Sequence, residues 1–341
     1  MAILIIYHRG AGKQVDIGAG RGYISAMRAP ALLCLAVLLA SGCAAVPYKY
    51  GSGIESAKTT PLAPGEPQIE RGRPRKFIDG FGHYVAALPS KLMLWNWKIE
   101  NHNISPETEE KLKRYLEEND LKNVKVRLNQ YSPGSEWRRL FRNKAVGAGW
   151  RYTLGVISVA MYTSFPGRFF GSLLPWSAGD HYNPYTNTIH LYSDHQATAL
   201  HEGGHAKDFA PRRFKGTYSF LGAIPLVPLY HEGRATNDVL GYYRDKALIA
   251  DEKNGIKVLY PAYCTYVAGE GLKWPSMFLV LPSWLGYAVS GGLVIPAHIV
   301  ARIRAKRMQE PPPAAAPAPV PVSAAVPAPV PAPAAEVPPV P

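Results

Sequence analysis

Hydrophobic positions change their spacing several times along the chain. A nine-residue apolar run, Ala31–Leu39, follows Met27-Arg28. Residues 44–75 have no hydrophobic periodicity and are rich in Gly, Pro, Ser and Thr, which predicts a flexible tether. Ser105-Pro106-Glu107-Thr108-Glu109 then opens a helix: a hydroxyl cap, proline at the first helical position and acids in the first turn. Leu112, Tyr115 and Leu116 carry its apolar face as far as Asn119-Asp120. Val124, Val126 and Leu128 alternate with polar partners over residues 122–129, which predicts a half-buried strand closed by a turn at Tyr131–Gly134. A turn-like stretch, 180–187, leads into a second short alternating strand, Thr188–Tyr192. Ala197, Leu200, Ala206 and Phe209 then mark one face of a helix, with Ser193-Asp194 as its cap and Pro211 beyond its end. These elements predict an α+β domain over residues 76–272.

Three later stretches are apolar without a clear period. Residues 152–167 and 216–230 are too short to span a bilayer, which takes about 20 residues, and are expected as core elements or surface-docking loops. Trp274–Ala301 is long enough and carries no formal charge; Arg302, Arg304, Lys306 and Arg307 follow it. That flank fits the positive-inside rule, whereas Pro275, Pro282, Pro296, His298 and the Gly291-Gly292 pair favour a buried helical hairpin. The segment 273–307 is therefore expected to be an apolar helical unit, either spanning or packed. Residues 308–341 are expected to form a disordered arm, because thirteen of the last thirty-one residues are proline.

The net charge of +13 points to anionic surfaces. No nucleic-acid motif accompanies the basic runs, so a membrane is the expected partner and nucleic acid is not. Three cysteines, Cys34, Cys43 and Cys264, are too few for a disulfide framework. The apolar run ends in Ala40-Ser41-Gly42-Cys43, small residues at a cleavage point. This segment resembles a bacterial lipoprotein signal. The resemblance implies cleavage after residue 42, a lipid on Cys43, and a location in the cell envelope facing the periplasm or exterior. The outer membrane is expected, or the inner one if 274–301 spans. Met27 is then the expected start of translation and residues 1–26 a mis-assigned extension.

Chemistry concentrates in His201-Glu202-Gly203-Gly204-His205. On a helix, positions i and i+4 lie about 40° apart, so two imidazoles can share one ion. Glu202, beside the first of them, can reach a water at that ion as general base. The two glycines are poor helix formers and make sense if substrate or a packed backbone passes close by. His181, His190 and His195 are each expected to be ordinary hydrogen-bonded residues.

The order of strand, turn and HExxH helix resembles that of zincin metallopeptidases, in which the strand lies at a sheet edge and pairs with extended substrate. A metzincin pattern is excluded because Asp208 and Pro211 stand where it needs Gly and His. The resemblance is to gluzincins, which take a Glu from a second helix. It implies Glu232, 27 residues past His205, as third zinc ligand with His201 and His205. Family members carry an acid three or four residues beyond that Glu; here Ala235 and Thr236 stand there, so Asp208 or Asp238 is expected to orient a ligand histidine. The implied reaction is hydrolysis of envelope peptides or proteins, with Glu202 taking a proton from water and returning it to the leaving amine. His231, Arg234, Tyr242 and Tyr243 are the candidates for stabilising the oxyanion. Two other readings are a zincin-like scaffold without activity and a hydrolase of non-peptide bonds.

Overall fold

The computed structural model describes residues 59–174, 177–278 and 283–308. Residues 1–58, including the signal-like segment and Cys43, lie outside the described residues, as does the proline-rich stretch from 309. The architecture is mixed α/β and mostly helical, with one small sheet and an apolar C-terminal helix. In chain order it comprises β1 Ile69–Arg71, α1 Lys76–Phe81, α2 Leu88–Leu94, α3 Pro106–Glu118, β2 Lys125–Leu128, α4 Pro133–Arg142 and α5 Val156–Ser164. There follow β3 His181–Asn183, β4 Thr188–Leu191, α6 Gln196–Phe209, α7 Lys215–Leu221, α8 Val227–Asp245, α9 Ile249–Phe278 and α10 Ser283–Arg307.

The strands lie in the order β1-β2-β4-β3, with β1, β2 and β4 parallel and β3 antiparallel to β4. Val126 and Leu128 of β2, with Ile189 and Leu191 of β4, pack on Leu112, Tyr115 and Leu116 of α3 and Leu200 of α6. Val239 and Leu240 of α8 and Ile256 and Leu259 of α9 extend this core. Ser105 caps α3 as expected, its hydroxyl accepting from the Thr108 amide.

Strand β2 departs from the half-buried expectation, because its polar side is buried as well. Lys125 and Arg127 are fully buried. Arg127 Nε donates to Glu136 of α4 at 2.7 Å, and its guanidinium lies 2.9 Å from Glu70 of β1. Lys125 Nζ lies 2.8 Å from the same Glu70. Desolvating charges is costly, and pairing each with a partner is what makes their burial tolerable. The stretch read as tether is accordingly structured in its second half. Ile69 packs on the core, and Glu66 sits 3.0 Å from Arg139.

The expected cap of α6 is also corrected. His195, in extended conformation, occupies the cap position and makes no side-chain cap bond. Asp194 instead accepts from Ser105 Oγ at 2.6 Å and Thr108 Oγ1 at 2.7 Å, tying the start of α6 to the start of α3. The Ser193 hydroxyl is held by Asp180. Helix α9 runs through the boundary expected at 272, and α10 packs along it, so the C-terminal helices continue the domain.

Candidate metal centre

Helix α6 lies between α3 and α8, and its two central glycines permit both contacts. A Cβ on Gly203 would stand 2.7 Å from the Tyr115 ring of α3. A Cβ on Gly204 would stand 3.1 Å from both the Cα and the carbonyl oxygen of Ala235 in α8. Of the two reasons for the glycines, Gly204 therefore meets a packed backbone. This close approach places Glu232, nearly one turn before Ala235, opposite the histidines of α6.

His201 and His205 point the same way, with ring centroids 4.7 Å apart and planes at 87°. Their Nε2 atoms are 3.1 Å apart. Glu232 Oε2 lies 3.0 Å from His201 Nε2, and Oε1 lies 3.4 Å from His205 Nε2. These three are the one group of metal-ligating side chains that converge on a point among the described residues. His181, His190 and His195 do not enter it. Burial favours a neutral His201 and lowers its pKa. Burial also works against a charged His205, but the Glu232 carboxylate outweighs it and raises that pKa to about 9. Glu232, despite its own burial, is held well below the usual carboxylate range by His205 and His201.

The donors fit a zinc ion. Tetrahedral zinc with bonds of about 2.0–2.1 Å sets its ligand atoms about 3.3 Å apart, and the separations here are 3.0, 3.1 and 3.4 Å. Two imidazoles and one carboxylate are also a donor set that suits zinc. The surroundings ask for positive charge: Glu202, Asp180 and Glu100 join Glu232 around one cavity.

Glu202 is 6% exposed, and its carboxylate lies toward the Tyr182 backbone amide. Burial, with the nearby charges of Glu232 and Asp180, pushes its pKa up to about 8. Together with Glu232, Asp180 and Tyr266 it borders two cavities. The inner one, of about 320 Å³, runs between α2, α6 and α9 and is lined by Met93, Ile99 and Leu259. The outer one, of about 310 Å³, is bounded by His181 and Tyr182 of β3, by Ser219 and by His231. The edge strand is thus β3, inside the stretch read as a turn, and not β4, which is paired on both sides.

Neither acid expected to orient a histidine does so. Asp208 accepts from Arg234 Nε at 2.6 Å, Arg212 Nη2 at 2.7 Å and Tyr218 Oη at 2.5 Å. Asp238 accepts from Lys207 Nζ at 2.6 Å and from the Tyr115 hydroxyl. Both carboxylates are consumed by donors from other turns and helices. The side chain beside His201 Nδ1 is Thr236, whose hydroxyl lies 3.5 Å away. Thr236 stands four residues beyond Glu232, so a hydroxyl lies where the gluzincin pattern has an acid.

The oxyanion candidates also separate. Tyr242 and Tyr243 belong to the hydrophobic core, and Arg234 is bound to Asp208. His231 lines the outer cavity, and its Nε2 makes no hydrogen bond. Tyr266 of α9, which sequence reasoning missed, borders both cavities beside Glu202 and Glu232. The negative charge of Glu232 pushes its phenol well above the usual tyrosine range, so it keeps its proton. Nothing local in the sequence marks it, since it lies 34 residues past Glu232 on a separate helix.

No family model matches this chain, and searches of curated proteins and of solved structures find no match.

Proposed function

We propose that the protein is a zinc metallopeptidase of zincin type, with His201, His205 and Glu232 as the ligands. The observation that carries this reading is the convergence of three donor atoms from α6 and α8 at 3.0–3.4 Å spacing, with Glu202 buried next to them. Zinc, when bound, supplies a Lewis acid that polarises a carbonyl and lowers the pKa of water. With a bound cation beside it drawing down its raised pKa, Glu202 would be ionised, take a proton from the attacking water and deliver it to the leaving amine. The protonated Tyr266 hydroxyl donates to the oxygen that becomes negative as the carbonyl is attacked. The free edge of β3 along the outer cavity offers backbone groups to an extended peptide, and the two cavities accommodate side chains on either side of the scissile bond. The mainly apolar inner cavity favours an aliphatic or aromatic residue there.

The test is peptide cleavage by the zinc-loaded chain against Glu202→Gln. The variant should bind zinc as the parent does and lose turnover. Retained turnover would remove Glu202 as the base.

A further inference from the structure

From Val294 to Ala305, helix α10 turns its three isoleucines outward. Its inner face, against α9, carries Val294, Ala297, His298, Ala301 and Ala305, all buried. Its outer face carries Ile295, Ile299 and Ile303, which are 53%, 54% and 47% exposed. Small residues between helices and branched aliphatics outside is the pattern of helix packing in lipid, where solvent does not penalise outward apolar groups. In water the same arrangement exposes the residues that most favour burial.

The surface continues onto α2, which presents Leu88 and Leu92 outward at 40% and 61% exposure. The two helices are latched together. His298 Nε2 donates to the Met93 carbonyl at 2.8 Å, and the Trp95 ring stacks on His298 at 4.0 Å. Arg302 covers Trp95 with its guanidinium 4.8 Å from the ring centre. The outer stripe ends in exposed Arg302, Lys306 and Arg307, and α10 contains no acidic residue. The opposite faces of the same helices, through Met93, Leu94 and Ser290, line the inner cavity.

We infer that the outer face of α10 and α2 is seated in an anionic phospholipid bilayer, with the aliphatics among the acyl chains and the basic end at the headgroups. Charge decides for lipid over a second copy of the chain: neither α10 nor α2 carries an acidic residue, so a second copy of this face brings no counter-charge to Arg302, Lys306 and Arg307, whereas anionic headgroups neutralise them. Trp95, between the aliphatics and Arg302, has the amphipathic character of a side chain at the membrane interface. Helix α9, which covers the other side of α10, carries Glu252, Lys253, Lys257 and Glu270, charges that a bilayer core does not accept, so α10 lies in the surface of the bilayer and does not cross it. The inference is independent of the metal chemistry.

The experiment is flotation of the mature chain beginning at residue 43, with Cys43→Ser removing the lipid, on vesicles of phosphatidylglycerol or of phosphatidylcholine alone. The protein should float with the anionic vesicles and be released by alkaline carbonate. Replacing Arg302, Lys306 and Arg307 together by Gln should lower the partition coefficient on the order of a hundredfold at low salt. Ile295→Ser with Ile299→Ser and Ile303→Ser should also abolish flotation while leaving zinc content and circular dichroism unchanged, which shows the fold is intact. Failure of the Cys43→Ser chain to float, or flotation indifferent to the isoleucines, overturns the proposal. So does resistance to carbonate, which would mean a spanning helix. A dimer that the isoleucine variant dissolves, with vesicle binding unchanged, assigns the face to a second copy instead.

Discussion

Gly204→Ala tests whether the packing of α6 on α8 sets the metal centre. The new methyl would lie 3.1 Å from the Cα and the carbonyl oxygen of Ala235, and 3.4 Å from its Cβ. Carbon atoms prefer about 3.5–4.0 Å, so α8 must retreat by a few tenths of an ångström. Backbone lies on the far side of the contact, so no side-chain rotation relieves it. Glu232 is nearly one turn from Ala235 and moves with it, while metal–ligand distances tolerate only about 0.2 Å. Zinc affinity should therefore fall by about tenfold or more, the size of change that follows loss of a ligand-orienting group. Stability should change little. Overpacking costs about 1–3 kcal/mol, and replacing a mid-helix glycine by alanine returns up to about 1 kcal/mol. Competition with a chromophoric chelator measures the affinity, and thermal melts in EDTA measure the metal-free fold. Parental zinc affinity in a folded Gly204→Ala protein would refute the reasoning.

Two further outcomes follow from side chains around the cavities. Tyr266→Phe should lower kcat about 10²–10³-fold with little change in KM, the loss typical of one oxyanion donor; an unchanged kcat would return the role to His231. Glu100 is 2% exposed, and burial together with the Asp180 carboxylate raises its pKa to about 7, against partial relief from the Ser172 hydroxyl and amide and from Lys91. A raised acid binds its proton more tightly in the folded state. Its contribution is therefore complete below about pH 4.5 and is lost as pH rises through about 7, on the order of 3 kcal/mol. Urea denaturation across that range should show the decline, and Glu100→Gln should flatten it; an equal slope in the variant would place the proton elsewhere.

Local signals made much of the frame legible. The Ser105 cap, the alternation in β2 and the four-residue spacing of His201 and His205 each depend on neighbours in sequence, and each identified its element. Long-range partners were not legible. Asp194 looked like the cap of α6, but Ser105 and Thr108, more than eighty residues away, claim its carboxylate. Asp208 and Asp238 had the right spacing to support a histidine, yet arginines, a lysine and tyrosines reach them first. Alternation in β2 separated two faces without revealing that α4 covers the polar one. Strand β3 has three residues, too few for a period to show, and its role at the edge comes from pairing with β4. Glu232 was reached through the gluzincin resemblance, and the fold brings it to the two histidines, whereas Thr236 and Tyr266 needed the three-dimensional structure.

Zinc stoichiometry after equilibrium dialysis tests the central claim most directly. One ion per chain should be retained by the parent and by Glu202→Gln, and none by His201→Ala with His205→Ala. A parent that retains no zinc, or a double variant that keeps a full equivalent, would contradict the assignment of the centre.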